Sequence, residues 1–392
     1  MKLQPVSLNE RVEAIDMMRG FSLLGILVIN MLAFHSPLSY VDPYTYFARP
    51  YDTEIYDFID VFIQASFYPL FAMLFGYGLA MQYLKAEERK QAFMPVAVRR
   101  LLVLLAIGIL HAFFLWYGDI LISYAIIGFL LIGMLRLSSK LLAGMALLIY
   151  TVPHALILAL MFYAVSINPS FYTGIQAVQS SIDAYANGTF IDIFAQRLSD
   201  WVYSNNPFNF IVLLATILPF MMVGAAAAKW RLIERTKHYR KVWISLAVVP
   251  LFAGVLLKAT PQLIDKNYAY VYLQDFFGGP LVAIGYAAII ALLAQSEGFR
   301  KLLRPLGQVG RMSLTIYIMQ SLIATFIFYS YGFGLYGKVD LLTGTLIALG
   351  IFAIQMIFAE AWLSKFNQGP LEKLWRRWTY GKSFKKNSNS KP

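Results

Sequence analysis

Cysteine is absent from all 392 residues. That excludes disulfides, iron–sulfur clusters, thiolate zinc sites and a cysteine thioester intermediate. Charge is scarce. Asp, Glu, Lys and Arg make up 14% of the chain, against roughly 25% in a soluble domain. Histidine is scarce too, at four residues with no His-x-x-x-His pair, so no metal site is expected. Ten-residue stretches of alternating polarity are missing, which argues against an outer-membrane barrel. Acidic residues are outnumbered 21 to 33, leaving a net charge of +12. On a soluble protein such an excess would point to nucleic acid.

What fills the chain instead is apolar sequence, 59% of it, in runs near 15–35, 58–84, 98–117, 119–135, 141–165, 207–228, 242–260, 276–294, 312–332 and 341–362. A bilayer-crossing helix needs roughly 20 apolar residues, and unpaired backbone groups exclude other spanning forms. The expected fold class is therefore all-α, a polytopic integral membrane protein of about ten transmembrane helices in one domain spanning 1–392. Of the 33 Lys and Arg, 27 fall in 1–14, 85–100, 136–140, 229–241, 295–311 and 363–392. The alternate segments hold only Arg49, Arg197, Lys258, Lys266 and Lys338, with Arg19 inside the first helix. This asymmetry predicts both termini in the cytoplasm of a bacterial inner membrane. The basic charge then marks topology and a contact with anionic lipid, not nucleic acid.

Residues 1–14 are polar and the run after them lacks a small-residue cleavage site, so no signal peptide is expected to be removed. Segments 36–57 and 166–206 are expected outside. The second carries an amphipathic stretch, Phe190 to Tyr203, suited to the interface. The basic tail, 363–392, is expected inside, its polar end beyond Lys382 disordered.

Two constellations stand out. Arg19 and Asn30 are eleven residues apart, which places them about 20° off one helical face and roughly 16 Å apart along the axis. An intramembrane cation is costly and usually functional, though Arg19 also reads as a snorkelling anchor. Further on, Arg99 and Arg100 precede His111, Trp116, Tyr117, Gly118 and Asp119. A neutral imidazole takes protons near physiological pH, and Asp119 is placed to orient it. On composition and spacing alone the pair reads first as a helix-bridging histidine and a helix cap. His35 and His238 read as loop or surface residues, and His154 beside Pro153 as a partner for a kinked backbone. Pro69 and Gly76-Tyr77-Gly78 suggest a kink and close helix packing.

The motifs Asp16–Asn30 (DMMRGFSLLGILVIN), Phe75-Gly76-Tyr77-Gly78 and Arg99–Asp119 (RRLLVLLAIGILHAFFLWYGD) are followed by Gly310–Ser321 (GRMSLTIYIMQS), Tyr331–Gly337 (YGFGLYG) and Gly369–Glu372 through Trp375-Arg376. In this order they resemble the YeiB family of bacterial membrane proteins. A more distant likeness is to transmembrane acyltransferases of the acyltransferase-3 type, in which an arginine, ten residues and a histidine occupy the first helix. Here Asn30 stands in that place, as in the heparan-glucosaminide acetyltransferase branch. The resemblance implies an acyl donor such as acetyl-CoA or another acyl-CoA, with no tightly bound cofactor. Arg19, Arg99 and Arg100 would hold its phosphates and Asn30 would stabilise an oxyanion, while His111, taken for its position and not from a motif match, would act with Asp119 as general base. Trp116, Tyr317 and Gln320 would line the same cavity. The partners expected are membrane lipids and a small-molecule, lipid or glycan substrate, with a homo-oligomer left open. The alternatives are a transporter of a small or lipid-linked substrate, for which mid-membrane polar groups serve equally well, and a structural, partner-binding membrane protein.

Overall fold

The computed structural model describes residues 11–168 and 175–381. Residues 1–10, 169–174 and 382–392 lie outside the described residues, and with them the polar tail and parts of the expected N-terminal and outer-loop segments. Among the described residues every regular element is helical. The bundle is built from Glu13–His35 (α1), Asp52–Phe62 (α2), Phe67–Glu88 (α3), Met94–Phe114 (α4), Leu121–Met134 (α5), Ser139–Ile167 (α6), Phe190–Ser204 (α7), Pro207–Lys229 (α8), Arg240–Lys258 (α9), Gly279–Leu293 (α10), Arg304–Arg311 (α11), Ser313–Phe328 (α12), Leu341–Lys365 (α13) and Pro370–Tyr380 (α14).

Among the described residues, eight helical units are long and apolar enough to cross a membrane, and nine if the bent pair α11–α12 counts as one. Two expected spans look different from the sequence reading. The run 119–135 forms only α5, 14 residues, which rises about 21 Å against a hydrocarbon core of about 30 Å. Helix α4 stops at Phe114, and the following residues form an irregular turn. Asp119 closes that turn by accepting a hydrogen bond from the Ile122 N–H at 2.7 Å. The run 312–332 forms α12, set at 86° to α11.

Helix α1 is the axis of the bundle. Glu13 and Asp16 sit in its first turn, where acidic groups complement the helix dipole. No proline interrupts it. Two thirds of its apolar window is buried, against 11% for α6, so α1 is core and α6 faces outward. Helices α3, α11, α12 and α13 pack around α1.

Two crossings bring backbones into direct contact. A Cβ at Gly20 would lie 1.9 Å from the Leu306 carbonyl oxygen, and one at Gly310 would lie 1.8 Å from that of Asp16. Likewise a Cβ at Gly76 would meet the Met221 oxygen at 2.0 Å, and one at Gly224 the Met73 oxygen at 1.8 Å. Without a hydrophobic drive between helices in lipid, small residues at such crossings supply the close packing that holds them.

Breaks in the helices are sealed by side chains. Between α2 and α3 the chain turns through Ala65 at φ +54°. The carbonyls freed there accept from Lys258 Nζ (on Gln64, 2.7 Å) and Tyr286 OH (on Phe62, 2.9 Å). His154, after Pro153, bonds Tyr272 OH at 2.6 Å and Thr216 Oγ1 at 3.1 Å, tying α6 to α8 and to the segment before α10. His35 is buried at the end of α1 against Phe47 and Phe328 rather than lying in a loop. The expected amphipathic stretch is α7, and it buries Arg197 and Asp200.

The glycine crossings give a direct test. Gly224→Ala and Gly310→Ala force helices apart, and overpacking of this kind typically destabilises by about 1–3 kcal/mol. Gly144→Ala has nothing within 4 Å of the added carbon and gains helix propensity. Thermal unfolding in detergent should show a lowered Tm for the first two and none for the third. Equal Tm values across all three would refute the packing account.

Candidate functional site

A cavity of about 240 Å³ opens among α1, α3, α4, α5, α11, α12 and α14. Helix α1 and its capping residue Val12 line it with Val12, Asp16, Arg19, Leu23 and Ile26, a spacing of three to four residues that keeps them on one face. Helix α3 does the same with Phe71, Phe75, Gly78, Gln82 and Lys85. The two ends of the cavity differ in chemistry.

One end is basic. Arg11, Arg19, Lys85, Arg100, Arg311 and Arg376 line it, with Asp16, Glu234 and Glu372 as the acidic residues. Asp16 lies 3.3 Å from Arg19 and 3.8 Å from Arg11. Glu234 accepts from Tyr77 OH. Glu372 accepts from the Leu314 N–H (2.7 Å), the Thr315 N–H (3.0 Å) and Thr315 Oγ1 (2.6 Å), so it caps the exposed donors at the start of α12. Burial pushes the Glu372 carboxyl above its ordinary pKa, and the Thr315 and Leu314 hydrogen bonds pull it partly back. Arg100 has no carboxylate partner among the described residues. Its guanidinium lies 4.5 Å from the centre of the Trp375 ring, a cation–π contact, while Trp375 Nε1 donates to the Arg100 carbonyl at 2.9 Å. Burial first, and then the charge of Arg11, lower the pKa of Arg376. Gly78 leaves room for Arg19, since a Cβ there would lie 3.3 Å from Nη2.

The other end is apolar. Leu23, Ile26, Phe71, Phe75, Leu104, Ile120 and Leu121 line it, with the rings of Tyr124 and Tyr317. Tyr317 OH reaches the Gly118 carbonyl at 3.5 Å. Behind Tyr317, with ring centres 5.0 Å apart, lies His111. His111 Nδ1 is 2.8 Å from Asp119 Oδ1, and Nε2 is 2.8 Å from Ser321 Oγ. The side chains of His111 and Asp119 are both fully buried.

The structure gathers part of the predicted set. Arg19, Arg100 and Tyr317 line the cavity. His111 and Asp119 are paired as expected, but the ring is closed off from the cavity by Tyr317 rather than facing it. Asn30 does not join them. It lies one turn beyond Ile26, the last α1 residue on the cavity, because the cavity ends before the helix reaches it. Arg99 is exposed on α4 away from the cavity. Trp116 packs on Phe34 with ring centres 4.3 Å apart. Gln320 is buried in helix packing, donating to the Leu23 carbonyl (3.4 Å) and Gln355 (3.3 Å).

Sequence reasoning missed Arg11, Lys85, Arg311, Arg376, Glu372 and Ser321. Four of these stand inside the motifs GRMSLTIYIMQS and Gly369–Arg376. The signal available for Ser321 was its spacing of four from Tyr317, which places the two on one face.

Residues 227–382 match a family model described as a protein of unknown function, DUF418. That segment supplies Arg311, Tyr317, Glu372 and Arg376 to the cavity, and Ser321 to the buried His111. The chain is 35% identical over 401 residues to the uncharacterized protein YxaH of Bacillus subtilis, covering 96% of each chain. It is 28% identical to an uncharacterized 39.9 kDa protein from the amylase 3′ region of Bacillus acidopullulyticus, covering 97% of each. It is also 28% identical to the uncharacterized protein YeiB of Escherichia coli, covering 94% of this chain and 96% of the relative. No solved structure matches. On this end-to-end similarity, and with an all-helical body rich in bilayer-length apolar helices, the chain belongs to the YeiB-like, DUF418-containing family of membrane proteins.

Proposed function

We propose that the protein is an inner-membrane acyltransferase that takes an acyl group, such as acetyl, from a cytoplasmic acyl-CoA and delivers it to an acceptor on the outer side. One observation carries this reading: the cavity is amphiphilic along its length, with six cations at one end and an apolar end that stops one side chain short of His111 and Asp119. A phosphate-bearing thioester has the same polarity, its phosphates at one end and its acyl group at the other. Arg19, Arg100, Arg311 and Arg376 hold the phosphates, where planar guanidinium forks suit such oxygens. His111 acts as general base, and Asp119 accepts Nδ1–H and leaves Nε2 free to take a proton. Tyr317 separates the acyl end of the cavity from His111, so its ring must swing aside before reaction, as lids do.

This reading needs the basic end of the cavity in the cytoplasm, with about ten membrane passages and both termini inside. The excess of Lys and Arg in alternate segments supports that orientation. A second reading, export of an anionic or lipid-linked substrate without covalent chemistry, draws on the 86° break between α11 and α12 beside the cavity, since broken helices mark many transporter sites.

Three outcomes follow. Single cysteines introduced at Asn187 and Lys237, both exposed, report sidedness in this cysteine-free chain. An impermeant thiol reagent on intact protoplasts should label Asn187→Cys and spare Lys237→Cys, and the reverse pattern would overturn the orientation.

Arg19→Ala and Arg100→Ala should each weaken acetyl-CoA binding to the purified protein. A lost charge-assisted contact costs about 1.5–3 kcal/mol, or roughly 10- to 150-fold in Kd, with the lysine variants intermediate. Unchanged Kd values would remove the phosphate-binding role.

His111→Gln preserves much of the ring's volume but is not a base. Turnover, read as CoA release with transfer of labelled acetyl to lipid or glycan, should fall about 10²–10⁴-fold while Kd holds. Full turnover in His111→Gln would make His111 architectural. Binding without any CoA release in the parent protein would favour the export reading.

A further inference from the structure

Ser321 completes an arrangement that the proposed general base alone does not use. Its Oγ is 2.8 Å from His111 Nε2, while His111 Nδ1 is 2.8 Å from Asp119 Oδ1. Ser321 is 1% exposed and His111 1% exposed. A carboxylate accepts and an ionised one does not donate, so Asp119 fixes the proton of neutral His111 on Nδ1. Nε2 is then the acceptor, and the Ser321 hydroxyl is the donor that faces it. This is the tautomer and order of roles that activate a serine nucleophile, a constellation recognised by geometry and not by chain position or fold.

Placement strengthens the case. Ser321 and Tyr317 are one turn apart on α12, and Tyr317 is the end wall of the cavity. Asp119 belongs to the same turn as Tyr117, whose hydroxyl lies 3.2 Å from Ser39 Oγ. Beyond Ser39 are Tyr40, Tyr185 and Asp200, joined by hydrogen bonds from Tyr40 OH and Tyr185 OH to the Asp200 carboxyl. The serine, histidine and aspartate thus stand between the cavity and a polar aromatic cluster on its far side. Asp119 serves both neighbours at once, one carboxylate oxygen accepting from the Ile122 N–H and the other lying 2.8 Å from His111 Nδ1.

We infer that Ser321 is a covalent nucleophile that carries the acyl group between donor and acceptor. The inference rests on the acyl-CoA reading of the cavity. In the first half-reaction Ser321 Oγ bonds to the thioester carbonyl carbon and its proton passes to His111 Nε2. The C–S bond breaks and the sulfur takes that proton, releasing CoA as the free thiol. In the second half-reaction an acceptor hydroxyl or amine attacks the Ser321 ester and gives its proton to His111 Nε2. The C–Oγ bond breaks and the proton returns to Ser321. The balance is one acyl group moved and one thiol released, with no oxidant or reductant. Splitting transfer in two allows the donor and acceptor to arrive from opposite sides without meeting.

The test incubates the purified full-length protein with radiolabelled acetyl-CoA and no acceptor, followed by acid quench and peptide mapping. The expected result is one acetyl group on the peptide holding Ser321. Ser321→Ala should lose the label, and His111→Gln should slow its appearance about 10²–10⁴-fold. Ser321→Cys introduces the sole thiol of the chain and should carry the label as a thioester released by hydroxylamine, which also covers the case in which Ser321→Ala fails to fold. Label on His111, or transfer at the parental rate by Ser321→Ala or by an unlabelled Ser321→Cys, would overturn the nucleophile and leave the acyltransferase reading standing. A parent protein that neither binds nor consumes acetyl-CoA would overturn that reading, and the inference with it.

Discussion

A backbone in lipid has no water to satisfy it, and that constraint sets where this protein keeps its buried charge. At several helix ends inside the bundle, an ionisable side chain fills the freed groups. Glu372 takes the N–H groups of Leu314 and Thr315 at the start of α12. Asp119 takes that of Ile122 at the start of α5, and Asp52 that of Leu341 at the start of α13. Lys258 donates to the Gln64 carbonyl where α2 gives way to α3. Arg197 donates to the Phe113 carbonyl at the end of α4. Short or bent helices are possible here because charge is spent on their ends. The same rule separates two kinds of buried ion. Arg100 and Arg376 cap no helix and make no ion pair among the described residues, and both line the cavity.

That distinction explains what could be read from the chain alone. Apolar runs mark helices directly, because composition and length decide whether a segment crosses lipid, and most of the expected runs stand as single helices of bilayer length. The closeness of His111 and Asp119 was also legible, since only eight residues and a tight turn separate them. What lay hidden depends on neighbours. Helical periodicity placed Asn30 on the Arg19 face, but it carries no information about how far up that face a cavity extends. Arg311 and Arg376 read as topology charges at the ends of apolar runs. They become lining residues only because the 86° break turns α11 across α1, and because α14 folds back against α4 through Trp375 and Arg100. Ser321 was one hydroxyl among many until α12 came within 2.8 Å of His111, across 210 positions of sequence.

Packing and chemistry meet at α1. Gly20 and Gly310 let α11 lie on α1 backbone to backbone, and that contact sets Arg311 opposite Arg19 and Asp16 across the cavity mouth. One turn further, Gly78 gives Arg19 its space against α3. Substituting a larger residue at these glycines would move cations before it altered any of them. The site is therefore only as precise as the helix crossings beneath it, and interiors of this density shift by discrete repacking rather than by smooth deformation.

The balance of charge at the cavity mouth indicates what it is built to hold. Each of its carboxylates is already engaged: Glu372 by the start of α12, Glu234 by Tyr77, and Asp16 by Arg11 and Arg19. Arg100 and Arg376 make no ion pair among the described residues, and burial and the charge of Arg11 hold Arg376 below its ordinary value, with Tyr380, Glu372 and Asp16 acting the other way. Arg11 thus opposes the charge on Arg376, a repulsion that a bound anion would relieve. A lone carboxylate would relieve part of it, and a ligand with two or more phosphate charges would relieve more. An apolar tail on that ligand would then lie along Phe71, Phe75 and Leu104 toward Tyr317. On the proposed acyl-transfer reading, the end of that path is where binding would become reaction, because there the cavity comes nearest to His111 with its Asp119 and Ser321 partners.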